Sequence, residues 1–170
     1  MKYFLLFATA FSITIFGNAQ WNSNTSVNLQ VSSLPMSDMQ SLTTSTGRTW
    51  IAFYHENNGN YDMRAQLLDV DGTKLLGADG MLVDNKPSGT ATFVFNICKD
   101  ADDNLIVAYQ DQRSGQLAAV AYKVSQTGTH LWSSSGVVIG PGLAPYPAVL
   151  STGETVVAWI ESTTNTLQIQ

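Results

Sequence analysis

Cysteine is nearly absent from this 170-residue chain, and Cys98 is the only one. No internal disulfide can form, so the fold is not a stapled scaffold and depends on an apolar core. Charge is scarce as well. Asp, Glu, Lys and Arg make up 12% of residues, about half the usual share, so Ser, Thr, Asn and Gln must cover much of the surface. Basic residues number 8 against 13 acidic, a net charge of −5. That balance argues against nucleic acid or an anionic membrane surface as a partner. No stretch repeats apolar residues at helical spacing over a long window. Aromatics at 10% and a near-neutral mean hydropathy argue against disorder.

The one long apolar stretch lies at the N-terminus. Lys2 supplies a positive start, Tyr3 to Phe16 an apolar stretch, and Gly17-Asn18-Ala19 small residues three and one before a cut. Residues 1–19 read as a signal peptide, with a mature chain from Gln20 that is secreted or held at the cell surface. The stretch falls short of the roughly 20 apolar residues that a spanning helix needs. Ser12 and Thr14 also interrupt it, so no membrane span is expected in the mature chain. Losing Lys2 takes the 8 basic residues to 7 against 13 acidic, a net of −6.

The chain repeats itself. Trp50 to Val83 superposes on Ile106 to Ile139 at a constant offset of 56, placing Gly59 on Gly115, Gly72 on Gly128 and Gly80 on Gly136. A third copy starts near Tyr146 and runs to Gln170, and Tyr109 to Trp159 sets its spacing at 50. The copies span roughly 38–90, 91–144 and 145–170.

Within a copy, short β-branched and aromatic runs alternate with Gly, Asn and Asp turns. The first copy reads as Ser41 to Thr44, Thr49 to Tyr54, Tyr61 to Asp69 and Thr73 to Leu76, with Met81-Leu82-Val83 after a Gly77 to Gly80 turn. The second reads as Thr92 to Cys98, Leu105 to Gln110, Leu117 to Val124 and Thr129 to Trp132. Thr155 to Glu161 and Leu167 onward belong to the third. Four strands in a period of about 40–50 residues is the signature of a β-propeller blade. The expected fold is therefore all-β, with propeller-like four-stranded blades, about two and a half of them, in an incomplete ring. An immunoglobulin-like sandwich is the alternative, although it has no such internal period. One column holds Phe53, Tyr109 and Trp159, and the opposite face holds Ala52, Ala108 and Ala158. Large residues against small ones suit sheets stacked in series, so the aromatics read as core. Residues 25–33, with Val27, Leu29 and Val31 alternating, read as the last strand of a blade whose other strands lie outside this sequence. The remaining blades are then expected in a longer chain.

The frame Val107-Ala108-Tyr109-Gln110-Asp111-Gln112-Arg113-Ser114-Gly115, then Gly128-Thr129-His130-Leu131-Trp132 and Gly136-Val137-Val138-Ile139, resembles a repeat of large exported bacterial proteins. Such proteins often end in a type IX secretion sorting domain, which is absent from this sequence. The resemblance implies propeller-like architecture and export, and is nearly silent on activity. The first copy departs from it, with Asn57 for the Arg and Leu76 for the Trp. Thr43 to Trp50 resembles a degenerate Asp-box, the turn of sialidase-like propellers, with Ser45 where the Asp should stand.

Equivalent positions in successive blades share a ring, which makes His55, Asp111 and Glu161 the candidate ligand-binding column. Three polar side chains at one level suit a cation or a sugar hydroxyl. The competing reading pairs Asp111 with Arg113 across its own turn. His55 and His130 fall at non-equivalent positions, so no metal site is assigned. Asp69-Val70-Asp71-Gly72 and Asp100-Ala101-Asp102-Asp103-Asn104 resemble pieces of calcium loops but lack the full spacing. Hairpin-turn chemistry accounts for them better, and no cofactor is assigned. Cys98 reads as a small buried hydrophobe. No catalytic site is singled out: neither paired carboxylates, nor a Ser/His/Asp set, nor a phosphate loop stands out. The expectation is an exported, non-catalytic module that binds or presents an extracellular glycan or protein. The alternative is part of a sialidase-like or other glycan-hydrolysing propeller.

Overall fold

Alternating runs between Gly- and Asp-rich turns become ten antiparallel strands in a computed structural model, which describes residues 24, 26–88, 94–113 and 115–170. The first sheet joins β1 (Met36–Thr43), β2 (Thr49–Asn57), β3 (Asn60–Leu68) and β4 (Met81–Asp84) in sequence order. The second joins β5 (Phe95–Lys99), β6 (Leu105–Asp111), β7 (Ala118–Val124), β8 (Val137–Val149), β9 (Thr155–Glu161) and β10 (Leu167–Ile169), again in sequence order. This six-stranded sheet curls into half a barrel. The chain is all-β, and no helix among the described residues is long and apolar enough to cross a membrane.

The 56-residue offset holds down to single hydrogen bonds. Gly72 N donates to Asp69 O at 2.9 Å, and Gly128 N to Ser125 O at 2.9 Å. Leu75 N donates to Leu67 O at 2.8 Å, and Leu131 N to Lys123 O at 2.8 Å. The β3–β4 register slips between Met63 and Arg64, and the β7–β8 register slips between Ala119 and Val120. At the offset of 106 to the third copy, Asp38 (φ 44°) matches Ala144 (φ 47°). Both fall where a register shifts. One turn needs its glycine for space as well as for backbone. A Cβ on Gly136 would stand 2.5 Å from the Tyr122 ring, and one on Gly80 would stand 2.5 Å from the Ala65 carbonyl.

The main core lies between the two sheets. Trp50, Ala52 and Tyr54 of β2 share it with Leu105, Val107 and Tyr109 of β6. The other face of β2 buries Ile51 and Phe53 with Leu68 under Val31. The other face of β6 buries Ala108 with Ala121 and Val157, against Trp132 and Ile139. Each sheet thus turns its position-53 or position-109 aromatic one way and its alanine the other. The aromatic column is core as expected, with Phe53 fully buried and Trp159 8% exposed. A buried aromatic removes about 150–250 Å² from water, an upper bound of roughly 4–6 kcal/mol each. Tyr54 and Phe95 meet edge to face with centroids 5.2 Å apart, across the two sheets.

The second and third copies do not separate into sheets of their own. β8 runs unbroken for 13 residues. Its first part pairs only with β7 and its second only with β9. Each part therefore has one unpaired side, which is where a strand tolerates Pro141, Pro145 and Pro147. The third copy consequently begins inside β8 rather than at Tyr146.

Three further expectations are corrected. Thr73 to Leu76 is not a strand, since only the bridge between Leu68 and Lys74 forms there, and the fourth strand is β4. Thr129 to Trp132 likewise makes only the Val124–His130 bridge, and β8 takes its place. Residues 26–33 form no strand. Their apolar Val31 lies over Phe53, and Ser32 and Ser33 bind Asp79 on the far side of the first sheet. Residues 1–19 and the start of the Thr92 strand lie outside the described residues.

Candidate functional site

The three column residues are each engaged within their own hairpin. His55 is half-buried, with Nδ1 3.6 Å from Asp62 Oδ2. Asp111 is fully buried and receives Arg113 Nε at 3.0 and 2.8 Å and Nη2 at 2.6 Å. Glu161 accepts from Thr163 N at 3.0 Å and from Thr164 N and Oγ1 at 2.6 Å each. The Thr164 hydroxyl and these backbone donors hold its carboxyl down at about 2. No printed hydrogen bond or ion pair links the three among the described residues.

Asp111 and Arg113 are instead part of a larger buried network. Arg113 Nη2 also reaches Tyr122 Oη at 3.2 Å and lies 3.8 Å from Asp84 Oδ2, while Nη1 donates to the Ser135 carbonyl. Tyr109 Oη donates to Asp84 Oδ2 at 2.7 Å, and Lys86 Nζ binds Asp84 Oδ1 at 2.9 Å. The Tyr109 and Tyr122 rings stack with centroids 5.9 Å apart. Two carboxylates thus meet two cations at one end of the interface between the sheets. Burial, then the Asp84 charge, pushes both phenols up. Burial alone would lower the Arg113 value, but the Asp111 carboxylate outweighs it and raises it. Phenols and guanidinium therefore stay protonated, and the acids are satisfied inside the network. The spacing of Asp111 and Arg113 was visible in sequence. Asp84, Lys86, Tyr109 and Tyr122 were not, because they come together only across strands.

A second tie joins the β1–β2 and β5–β6 turns. Asp103 accepts from Ser45 N at 2.9 Å and from Lys99, and its carbonyl accepts Trp50 Nε1 at 2.9 Å. The carboxylate missing from the Asp-box-like turn at Ser45 is thus supplied by the next copy. Asp100 Oδ1 accepts from Asp102 N and Asn104 N at 2.9 and 2.8 Å, and Asp71 Oδ1 accepts from Thr73 N at 2.8 Å. These contacts are turn chemistry. Among the described residues no three His, Cys, Asp or Glu side chains gather as a metal site. Cys98 is half-buried rather than buried, and desolvation followed by the Asp100 charge pushes its thiol up to about 11.

A cleft of about 430 Å³ opens on the concave side of the six-stranded sheet. Trp132, Val137, Ile139 and Val157 supply apolar walls, and Ser133, Thr155 and Gln170 supply polar groups. In the first copy the positions matching Trp132, Val137 and Ile139 are Leu76, Met81 and Val83. They pack into the main core beside Val107, which matches Val157. The same repeat positions therefore form solid core between the first two copies and an open cleft between the second and third. The difference follows from β8, whose continuity joins those two copies edge to edge. Trp159 lies on the cleft face of β9, packed so closely over Gly140 that a Cβ there would stand 3.0 Å from its ring.

No protein-family model matches the chain, and no curated protein and no solved structure matches it.

Proposed function

We propose that the chain is an exported, non-catalytic, propeller-type repeat module that binds an extracellular glycan in the Trp132 cleft. The observation that carries this reading is the cleft itself: an aromatic ring and aliphatic walls with hydroxyl and amide groups among them. Sugar rings stack their C–H faces on indoles and hydrogen-bond to such polar groups. The propeller-type part is supported by the four-stranded first sheet, the face-to-back packing of its alanine and aromatic faces, and the repeat offset. Export to the cell surface or medium is supported by the leader-like residues 1–19, and the type IX route by the resemblance of the repeat frame. Binding is favoured over hydrolysis because Asp84 and Asp111 are tied up by Arg113, Lys86 and Tyr109 inside the core. A glycan array probed with the purified protein tests the reading. Retention of one glycan class supports it. No retention, together with turnover of a fluorogenic glycoside, would sink it.

A further inference from the structure

The faces of the repeat are covered in the first two copies and bare in the third. Trp50, Ala52 and Tyr54 of β2 are buried under the second sheet, and Ile106, Ala108 and Gln110 are buried too. The matching residues of β9 are Val156, Ala158 and Ile160. Cross-strand partners share a face, so Ala148, Tyr146 and Leu143 of β8 and Ile169 and Leu167 of β10 lie beside them. Tyr146 is 63% exposed, Leu167 76% and Ile169 69%. This surface carries no charged side chain. A contiguous apolar patch ending on an edge strand is an interaction site rather than ordinary surface.

We propose that this face of β8–β10 docks against the same face of a second copy of this chain, as a closed two-fold dimer. Three observations select that occupant. The repeat shows what covers such a face, namely another apolar sheet of its own kind. The absence of charge lets two copies of an acidic chain bring these faces together without burying an ion. Finally, the opposite end of the stack is already closed. Phe53 is fully buried beneath Val31. That segment is pinned by Ser33 N and Oγ on Asp79 Oδ1 at 2.6 and 2.9 Å, and by the Pro35 carbonyl accepting from Glu56 N at 3.1 Å. A head-to-tail filament would need both ends open. With only one end open, the contact pairs a face with itself and stops at two.

Sedimentation equilibrium of the purified protein over a wide concentration range tests this. A single monomer–dimer equilibrium is expected. Leu167→Lys with Ile169→Lys, both at well-exposed positions, should weaken the dimer at least about tenfold and leave the circular dichroism spectrum unchanged. Val70→Lys, an exposed apolar residue in the β3 turn, should leave it intact. A monomer at every concentration would overturn the proposal and leave the face to a different partner. So would growth beyond a dimer, or a dimer indifferent to the β10 substitutions.

Discussion

Asp103 stands in the second copy where Gly47 stands in the first, and both have left-handed backbones, at φ 62° and 85°. A residue other than glycine pays for that conformation, yet here its side chain ties two copies together. Burial opposes ionisation, but the hydrogen bonds from Lys99 and Ser45 prevail and hold the carboxyl at about 2. A carboxyl lowered on folding adds stability that is full above its unfolded value near 3.8 and fades as pH falls through its folded value. Thermal melts of the wild type should therefore weaken as pH drops from about 4 to about 2, and Asp103→Asn should flatten that slope in part. The slope will not vanish, because Asp71, Asp79, Asp100 and Glu161 are lowered as well.

Arg113 is the cation on which the fully buried Asp111 depends. Arg113→Met leaves that carboxylate uncompensated, at a cost of about 3–5 kcal/mol. Removing the acid as well, in Arg113→Met with Asp111→Leu, should restore part of the loss. Urea midpoints at unchanged slope measure both. A single variant within 1 kcal/mol of wild type, roughly the range of a surface pair, would show that the network contributes little.

Gly136 and Gly115 both have φ 74°, but only Gly136 lies against a neighbour. Ala at Gly115 meets nothing within 4 Å and should cost about 1–2 kcal/mol from backbone strain alone. Ala at Gly136 must also displace the Tyr122 ring, adding about 1–3 kcal/mol. Calorimetric melts should separate the two variants by several degrees. Equal melting temperatures would mean that Tyr122 moves aside freely.

Cys98 should be a slow thiol. A value raised from 9.0 to about 11 leaves about 100-fold less thiolate near neutral pH. Labelling by an aromatic disulfide should be far slower in the native protein than in urea, and equal rates would contradict the burial.

Much of the architecture was legible because the repeat constrains it twice. The runs at Thr49 and Leu105 are aligned by sequence and became β2 and β6 in matching registers. The fourth strand was misplaced because Leu75 and Leu76 follow a Gly72 turn as a strand would. In fact the Gly77–Gly80 turn comes first, and Leu76 faces the core from a loop. The merger through β8 was hidden because its glycines and prolines read as a break, and only its alternating one-sided pairing makes them tolerable. At the site, Asp111 and Arg113 are two residues apart and could be paired by eye. Tyr109 and Asp84 are 25 residues apart on different sheets, so their hydrogen bond exists only once the sheets stack. The Trp132 cleft was likewise invisible, since the same positions in the first copy are solid core.

Binding in that cleft is the centre of the account, and a titration followed by tryptophan fluorescence tests it most directly. The probe is whichever glycan the array retains, added to the wild type and to Trp132→Ala. The account predicts saturable binding by the wild type and a loss of about tenfold or more in the variant, with the melting temperature little changed because Trp132 is only partly buried. Equal affinity in the two proteins would contradict it and place the ligand elsewhere on the fold.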